Sequence, residues 1–302
     1  MKWERDDDLM YKTIRLKRNL CAIMALCLSG LICVAIGLGT AAAQTEAAEK
    51  EGITLPIIMY HSLLKEEKRQ GQFVISPDQF EKDLQYLTGR GYTTVVIQDL
   101  IDYVRDGVPL PDKPVMLTFD DGYYNNYLYA YPLLQKYRCK MVLAPIGRYT
   151  DQYSESDDSH ANYSQATWTQ LKEMIDSGLV EVQNHSYDMH DNGKKRKGAK
   201  KVSGESVEQY EQALTKDVQK MQDAMTKNTG FTPTAFVYPF GAISKESLPI
   251  LKKMGFQATL TCAGKLNTIT RDPECLYGLG RFLRPSGVSS DKYFTDTVKL
   301  PD

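Results

Sequence analysis

From Ile53 onward, short apolar runs alternate with amphipathic stretches. "LPIIMY" is apolar throughout. "SPDQFEKDLQYLTGRG" then reads as a helix, with Ser76 as N-cap, Pro77 at the first helical position and glycine at its end. "YTTVV" is short and β-branched, "IQDLIDYVRDG" is helical, and "KPVMLTF" has the continuous apolar character of a buried strand. "YYNNYLYAYPLLQKY" carries a helical pattern that Pro132 should kink or divide. "KMVLAPI", a helix around "WTQLKEMIDSG", and "LVEVQNH" follow. A long amphipathic helix then runs from about Glu205 to Lys227, with Val207, Tyr210, Leu214, Met221 and Met225 on one stripe. "TAFVYPFG", "SKESLPILKKMG" and "FQATLTC" complete the series. Such alternation implies parallel strands joined by crossover helices, in a barrel or a doubly wound sheet. Residues 53–302 have the size of one barrel domain, without an internal repeat.

The first 52 residues follow another pattern. Lys12, Arg15, Lys17 and Arg18 precede an uncharged apolar run from Leu20 to Gly39, long enough to span a bilayer as a helix. The basic flank predicts a cytoplasmic segment over 1–19, a single-pass signal anchor over 20–40, a small polar linker over 41–52, and the remaining domain outside the cell membrane. A cleaved signal peptide is the alternative, because "TAAAQ" offers small residues at Ala41 and Ala43, and the domain would then be secreted. The apolar run exceeds the roughly 7–15 residues of an ordinary signal core, which favours the anchor.

Composition narrows the function. A net charge of −1 over 302 residues gives no basic footprint for nucleic acid, and 42% hydrophobic with 10% aromatic content excludes wholesale disorder. Of six cysteines, Cys21, Cys27 and Cys33 lie in the apolar segment. Cys139, Cys262 and Cys275 lie beyond it, where Cys262 and Cys275 are either bridged or both free. Without a CxxC, a cysteine zinc site is not supported. The acidic loop 150–165 and the basic loop 192–201 read as solvated charge runs, although the basic one follows His190 closely enough to rim a site.

The candidate chemistry begins with "TFDDG" (118–122), where Asp120 and Asp121 stand together at the end of the "KPVMLTF" strand. Adjacent carboxylates resist joint ionisation unless a cation or proton intervenes. His61 follows "LPIIMY"; His185 follows "LVEVQN", with His190 five residues later; His160 sits in a polar loop as a surface residue. A catalytic zinc takes three protein ligands and keeps one position for water. One acid of the pair with His185 and His190 supplies such a set.

"TFDDG" followed by "HSYDMH" resembles the polysaccharide deacetylases, the NodB-homology or carbohydrate esterase family 4 enzymes, over about Ile57 to Phe282. The similarity is nearest to the poly-N-acetylglucosamine deacetylase subgroup, in which the five-residue histidine spacing occurs. The resemblance implies a distorted (β/α) barrel and hydrolysis of N-acetyl groups from an extracellular or cell-wall amino-sugar polymer. It also implies one divalent ion, zinc first, with cobalt, nickel or manganese as alternatives. Carried over, Asp120 is the base, Asp121, His185 and His190 are the metal ligands, and the Phe240 N–H in "YPFG" steadies the oxyanion. Two departures stand out. The family's arginine before that motif falls at Val237, and no histidine follows His190 to serve as the usual acid. "IIMYHS" resembles the subgroup's first strand, which makes His61 the acid. "GRFLRPSG" offers Arg281 or Arg284 as a replacement cation. Trp168 and the tyrosines from Tyr123 to Tyr131 read as packing residues. A monomer with a glycan substrate is expected. Two rival readings remain: a glycan-binding domain that has lost catalysis, and an O-acetyl sugar esterase.

Overall fold

The computed structural model describes residues 52–156, 158–193 and 196–300. The predicted cytoplasmic segment, anchor or signal, and nearly all of the linker lie outside them. Among the described residues no helix is long and apolar enough to cross a membrane.

In chain order the strands are β1 (Ile53–Leu55), β2 (Ile57–Tyr60), β3 (Ser62–Leu63), β4 (Val74–Ile75), β5 (Thr93–Thr94), β6 (Pro114–Asp121), β7 (Met141–Pro145), β8 (Val180–Val182), β9 (Ala235–Val237), β10 (Ala258–Leu260), β11 (Asn267–Ile269) and β12 (Phe282–Leu283). The longest, β6, is buried along its whole length. It pairs in parallel with β2 (Ile57↔Met116 to Tyr60↔Phe119) and with β7 (Thr118↔Val142 to Asp121↔Pro145), and β5 joins its first residues. A strand with parallel neighbours and both faces covered favours apolar residues on both faces, which is why "PVML" shows no alternation.

The sheet closes on itself. β7 pairs with β8, and the Asn184↔Phe236 bridge passes from β8 to β9. β9 pairs with β10, Leu260↔Leu279 continues the circuit, and β12 returns in parallel to β2. The carboxyl ends of these strands therefore gather at one rim, the face where parallel barrels place their sites. β1 and β11 form a separate antiparallel pair.

Alternate residues serve two cores. Ile58, Tyr60, Leu117, Phe119 and Leu143 pack with residues of the surrounding helices Pro77–Gly89, Tyr131–Tyr137 and Trp168–Asp176. Ile57, Met116, Val142, Ala144, Val237, Ala258, Leu260 and Leu279 pack with one another. Met116, Thr118 and Asp120 thus share one face of β6, and that row changes from apolar to ionic as it reaches the rim.

The helices follow their local signals. Ser76 Oγ accepts from Gln79 N, as an N-cap should. The aromatic stretch is divided: a π-turn over Asn126–Ala130 precedes the helix Tyr131–Tyr137, which puts Pro132 in a first turn, where no N–H is needed. "YTTVV" yields only Thr93–Thr94, because Val96 already caps the helix Ile97–Asp106. The long helix runs Val207–Thr229 after a Ser206–Gln209 capping box. Tyr210, Leu214, Val218, Met221 and Met225 are its buried stripe; Val207, at the first turn, is 48% exposed.

Candidate active site

The strand end of β6 makes an abrupt turn. Asp121 has φ 71° and Gly122 φ 75°, consecutive left-handed residues. A Cβ at position 122 would meet Pro145 Cβ at 2.5 Å, so only glycine fits there. The turn separates the two carboxylates: Asp120 continues the inner row of β6, while Asp121 swings toward the loop after β8. Among the described non-glycine residues, left-handed φ occurs at five positions. Asp121, Ser186 (beside His185) and Phe240 are at the site; Arg138 and Lys299 cap helices. Each left-handed residue of this kind costs on the order of 1–3 kcal/mol and persists only where surrounding structure imposes it.

Asp121 Oδ1 lies 3.1 Å from His190 Nε2 and 3.6 Å from His185 Nε2. One ligand atom from each of the three residues falls within 4.8 Å of the others. His185 Nδ1 faces the Val237 carbonyl at 2.8 Å. A carbonyl only accepts, so Nδ1 carries a proton in either ionisation state, and it is Nε2 that turns to the cluster, as an N–H when the ring is protonated and as a lone pair when it is neutral. Asp121 Oδ1 is buried and accepts no hydrogen bond. An anionic oxygen stranded beside two imidazole nitrogens is the surrounding a divalent cation satisfies, and one carboxylate with two histidines suits zinc. Burial favours the neutral Asp121 carboxyl, but the two imidazoles outweigh it and hold the group well below the usual carboxylate range. Burial likewise opposes protonation of His185, yet Asp120 and Asp121 raise it above the ordinary histidine value.

Asp120 is held differently. Arg281 Nη1 and Nη2 donate to its two oxygens at 2.6 and 2.8 Å, and Arg281 Nε donates to the Thr261 carbonyl at 2.9 Å. Burial raises the Asp120 pKa, and the guanidinium with His185 more than reverses that, leaving it below its ordinary value. Val237 is an apolar residue at the end of β9, and the cation beside Asp120 is Arg281, just before β12. Arg284 does not reach the site: it donates to both oxygens of buried Asp83 at 2.9 Å.

A cleft of about 560 Å³ opens over these groups, lined among others by His61, Phe73, Asp120, Asp121, Tyr123, His185, His190, Phe240 and Cys262. His61 Nδ1 is buried without a partner, and the ring meets Phe73 edge-on. Burial pushes the His61 pKa down, against the pull of Asp120 and Asp121. Phe240 has φ 58°, and its ring packs 4.3 Å from that of His190. His160 stands apart, its ring stacked on Tyr163. Cys262 and Cys275 are both free thiols. In the basic loop, Arg196 pairs with Glu205 at 2.5 Å and does not line the cleft; Lys194 and Lys195 lie outside the described residues.

One cleft group escaped the sequence reading. Tyr123 follows "DDG" directly and faces Asp121; burial, helped by that carboxylate's charge, pushes the phenol pKa up. Adjacency to the motif was its available signal. Trp168, by contrast, packs as expected, 7% exposed with Nε1 donating to Asp151 at 2.7 Å.

A closed parallel barrel with an Asp–His–His cluster at its carboxyl rim is the polysaccharide deacetylase architecture. The model of the family described as polysaccharide deacetylase matches residues 107–259, half of the chain, and the chain belongs to that family. The poly-beta-1,6-N-acetyl-D-glucosamine N-deacetylase of Escherichia coli (strain K12) is 27% identical over 238 residues, which cover 71% of this chain and 35% of the relative. Its namesake in Staphylococcus aureus (strain MRSA252) is 27% identical over 200 residues, covering 66% of this chain and 64% of the relative. The chain thus spans about a third of the first and just under two thirds of the second. Among solved structures, a de-N-acetylase from Aggregatibacter actinomycetemcomitans superposes with TM-score 0.67 at 27% identity, over 80% of this chain and 100% of that one. IcaB from Ammonifex degensii gives TM-score 0.65 at 26% identity, over 83% and 98%.

Proposed function

We propose that residues 53–302 form a metal-dependent N-deacetylase acting on a polymer of N-acetylated amino sugar. The observation that carries this is the pairing of the Asp121–His185–His190 cluster with a separate, arginine-held carboxylate, Asp120, in the same cleft. The names of the relatives, poly-beta-1,6-N-acetyl-D-glucosamine N-deacetylases, favour that polymer class. The basic flank and apolar run before Gly39 favour work outside the cytoplasm, on a membrane anchor.

A divalent ion held by Asp121, His185 and His190 would supply Lewis acidity and an acidified water. Asp120, kept ionised by Arg281, takes the proton from the attacking water, and its two bonds to the guanidinium hold it in place. The Phe240 N–H donates to the oxygen that gains charge as the acetyl carbon becomes tetrahedral. His61 gives a proton to the departing nitrogen, because an amine anion is too poor a leaving group to depart unaided. Asp120 and Asp121 sit side by side because one moves a proton and the other binds a cation; the left-handed turn at Asp121 lets neighbours in sequence do different work.

Acetate release by the zinc-loaded full chain, measured on the β-1,6 polymer, chitin oligomers and peptidoglycan, tests the reading. Release from at least the first is expected. Silence on all of them with metal bound would refute it and leave a non-catalytic glycan-binding domain.

A further inference from the structure

Residues 185–190, which carry both histidines of the cluster, lie outside any helix or strand. No regular ladder of hydrogen bonds therefore sets the span between the two rings. The backbone between them is fixed by side chains instead. Ser186 N donates to Asn184 Oδ1 at 2.9 Å, Tyr187 N to Asp217 Oδ1 at 2.8 Å, and Asp188 N to Asp217 Oδ2 at 2.8 Å. Three consecutive N–H groups thus end on side-chain oxygens, two of them on one carboxylate.

Asp217 comes from the long helix Val207–Thr229 and does not line the cleft over the cluster. The same helix holds the loop at two further points. Asn184 Nδ2 donates to the Val218 carbonyl and to Gln222 Oε1, each at 3.1 Å, and Lys220 Nζ lies 3.7 Å from the centroid of the Tyr187 ring. From the helix Gly147–Ser154, Gly147 N and Arg148 N donate to the Ser186 and Tyr187 carbonyls at 3.2 and 2.9 Å. A Cβ at Gly147 would meet both Met221 Sδ and Tyr187 Cδ2 at 2.7 Å, so the two helices and the loop meet there without slack.

Among these contacts the Asp217 pair is the strongest. A hydrogen bond to a charged group contributes about 1.5–3 kcal/mol, against about 1 for a neutral one. A carboxylate accepts at both oxygens, whereas an amide in its place would set an NH2 group against one of the two N–H groups. The loop also needs an external hold, because Ser186 has φ 71°, a conformation that surrounding structure must impose. Partners that orient metal ligands without touching the metal usually alter metal affinity by about 10–100-fold when removed.

We propose that Asp217 is a positioning residue of the metal centre. By holding the Tyr187 and Asp188 N–H groups it fixes the span between His185 and His190, and with it the affinity and geometry of the three-ligand set. The proposal rests on the ligand set given above and adds a residue remote from the cleft to it. Zinc Kd, from competition with a chromogenic chelator, and the visible spectrum of the cobalt(II)-loaded protein test it on the full chain. Asp217→Asn should raise the zinc Kd about tenfold or more, ~1.4 kcal/mol for each factor of ten. At saturating cobalt(II) its d–d bands should differ from those of the wild type, because the ligands close differently around the ion. Asp217→Glu keeps the charge but displaces it by one methylene; it should raise Kd less, and it carries the test if the amide variant does not fold. Asp83→Asn removes a fully buried charge in the helix Pro77–Gly89 and controls for general loosening. There Tm should fall while the zinc Kd stays within about twofold. Wild-type Kd and cobalt spectrum in both Asp217 variants, with only Tm lowered, overturn the proposal, as does an equal rise of Kd in Asp83→Asn. A wild type that binds no zinc overturns the ligand set itself.

Discussion

Arg281→Met tests how Asp120 is held. The wild-type guanidinium donates to both oxygens of Asp120 at 2.6 and 2.8 Å, with side-chain exposures of 0% and 4%. Removing one partner from a buried ion pair leaves the other charged and unsolvated, a loss of about 3–5 kcal/mol. For a domain of this size each kcal/mol moves Tm by about 2–4 °C, so the expected fall is about 6–20 °C. Burial alone raises the Asp120 pKa, and Arg281 is the foremost group opposing it. Without the arginine the carboxyl should therefore titrate at higher pH, and the acid limb of acetate release should move upward. In the wild type, where the folded-state pKa is depressed, the ionised group contributes stability above the ordinary carboxylate value of about 3.9, and that contribution is lost as pH falls. In the variant this acid-side dependence should weaken or reverse. Arg281→Lys keeps the charge but not the two-pronged geometry and should fall between. Asp120→Asn added to Arg281→Met should restore much of the Tm, since no buried charge is then stranded. Thermal unfolding and acetate release between pH 5 and 9 supply the measurements. An Arg281→Met protein with wild-type Tm and an unmoved acid limb would show that the guanidinium neither stabilises Asp120 nor keeps it ionised.

His190→Ala should remain folded, since the side chain is 17% exposed, but should lose most of its bound divalent ion, whereas His160→Ala should keep it; the opposite pattern in elemental analysis refutes the ligand assignment. Saturating zinc at about 100 times its Kd should stabilise the wild type by about 2.7 kcal/mol, and a chelator should remove that gain. His61→Ala should bind metal normally yet lose about 10² or more in kcat on amide substrates, with a smaller loss on an activated acetyl ester. Because burial holds His61 below its ordinary value, the part of the amide rate that needs its proton should decline as pH rises; near-full amide hydrolysis by His61→Ala would place the acid elsewhere.

Much of this was readable from the chain because its causes are local. "PVML" is a continuous apolar run because β6 is covered on both faces, and "DDG" after it announces a tight turn carrying two acids. Ser76 and Pro77 state where their helix begins. What the sequence could not settle depends on distant partners. Arg281 and Arg284 are three residues apart in one segment, and nothing local distinguishes them. One reaches Asp120 at the rim and the other Asp83 in the helix Pro77–Gly89, a choice made by which side of the chain near β12 each occupies. Tyr123, taken with its neighbours as packing, faces the cleft because the turn at Gly122 redirects the chain. Val207 fits the helical stripe but precedes the packed turns, so periodicity overstates its burial.

The return of β12 to β2 also sets an order of events during synthesis. β2 carries His61 at its end and is among the first strands of the barrel to be made, yet one of its two partners is the last strand of the sheet. Until residues near 282 are available, that edge of β2 has exposed backbone groups, the kind of edge that recruits other chains. Arg281 belongs to the same late segment and lies 161 residues from Asp120. Asp120 is therefore made long before Arg281, the group that holds it ionised. Barrel closure and the pairing of Arg281 with Asp120 become one late step, so any delay in it leaves an open strand edge and an uncompensated buried carboxylate together.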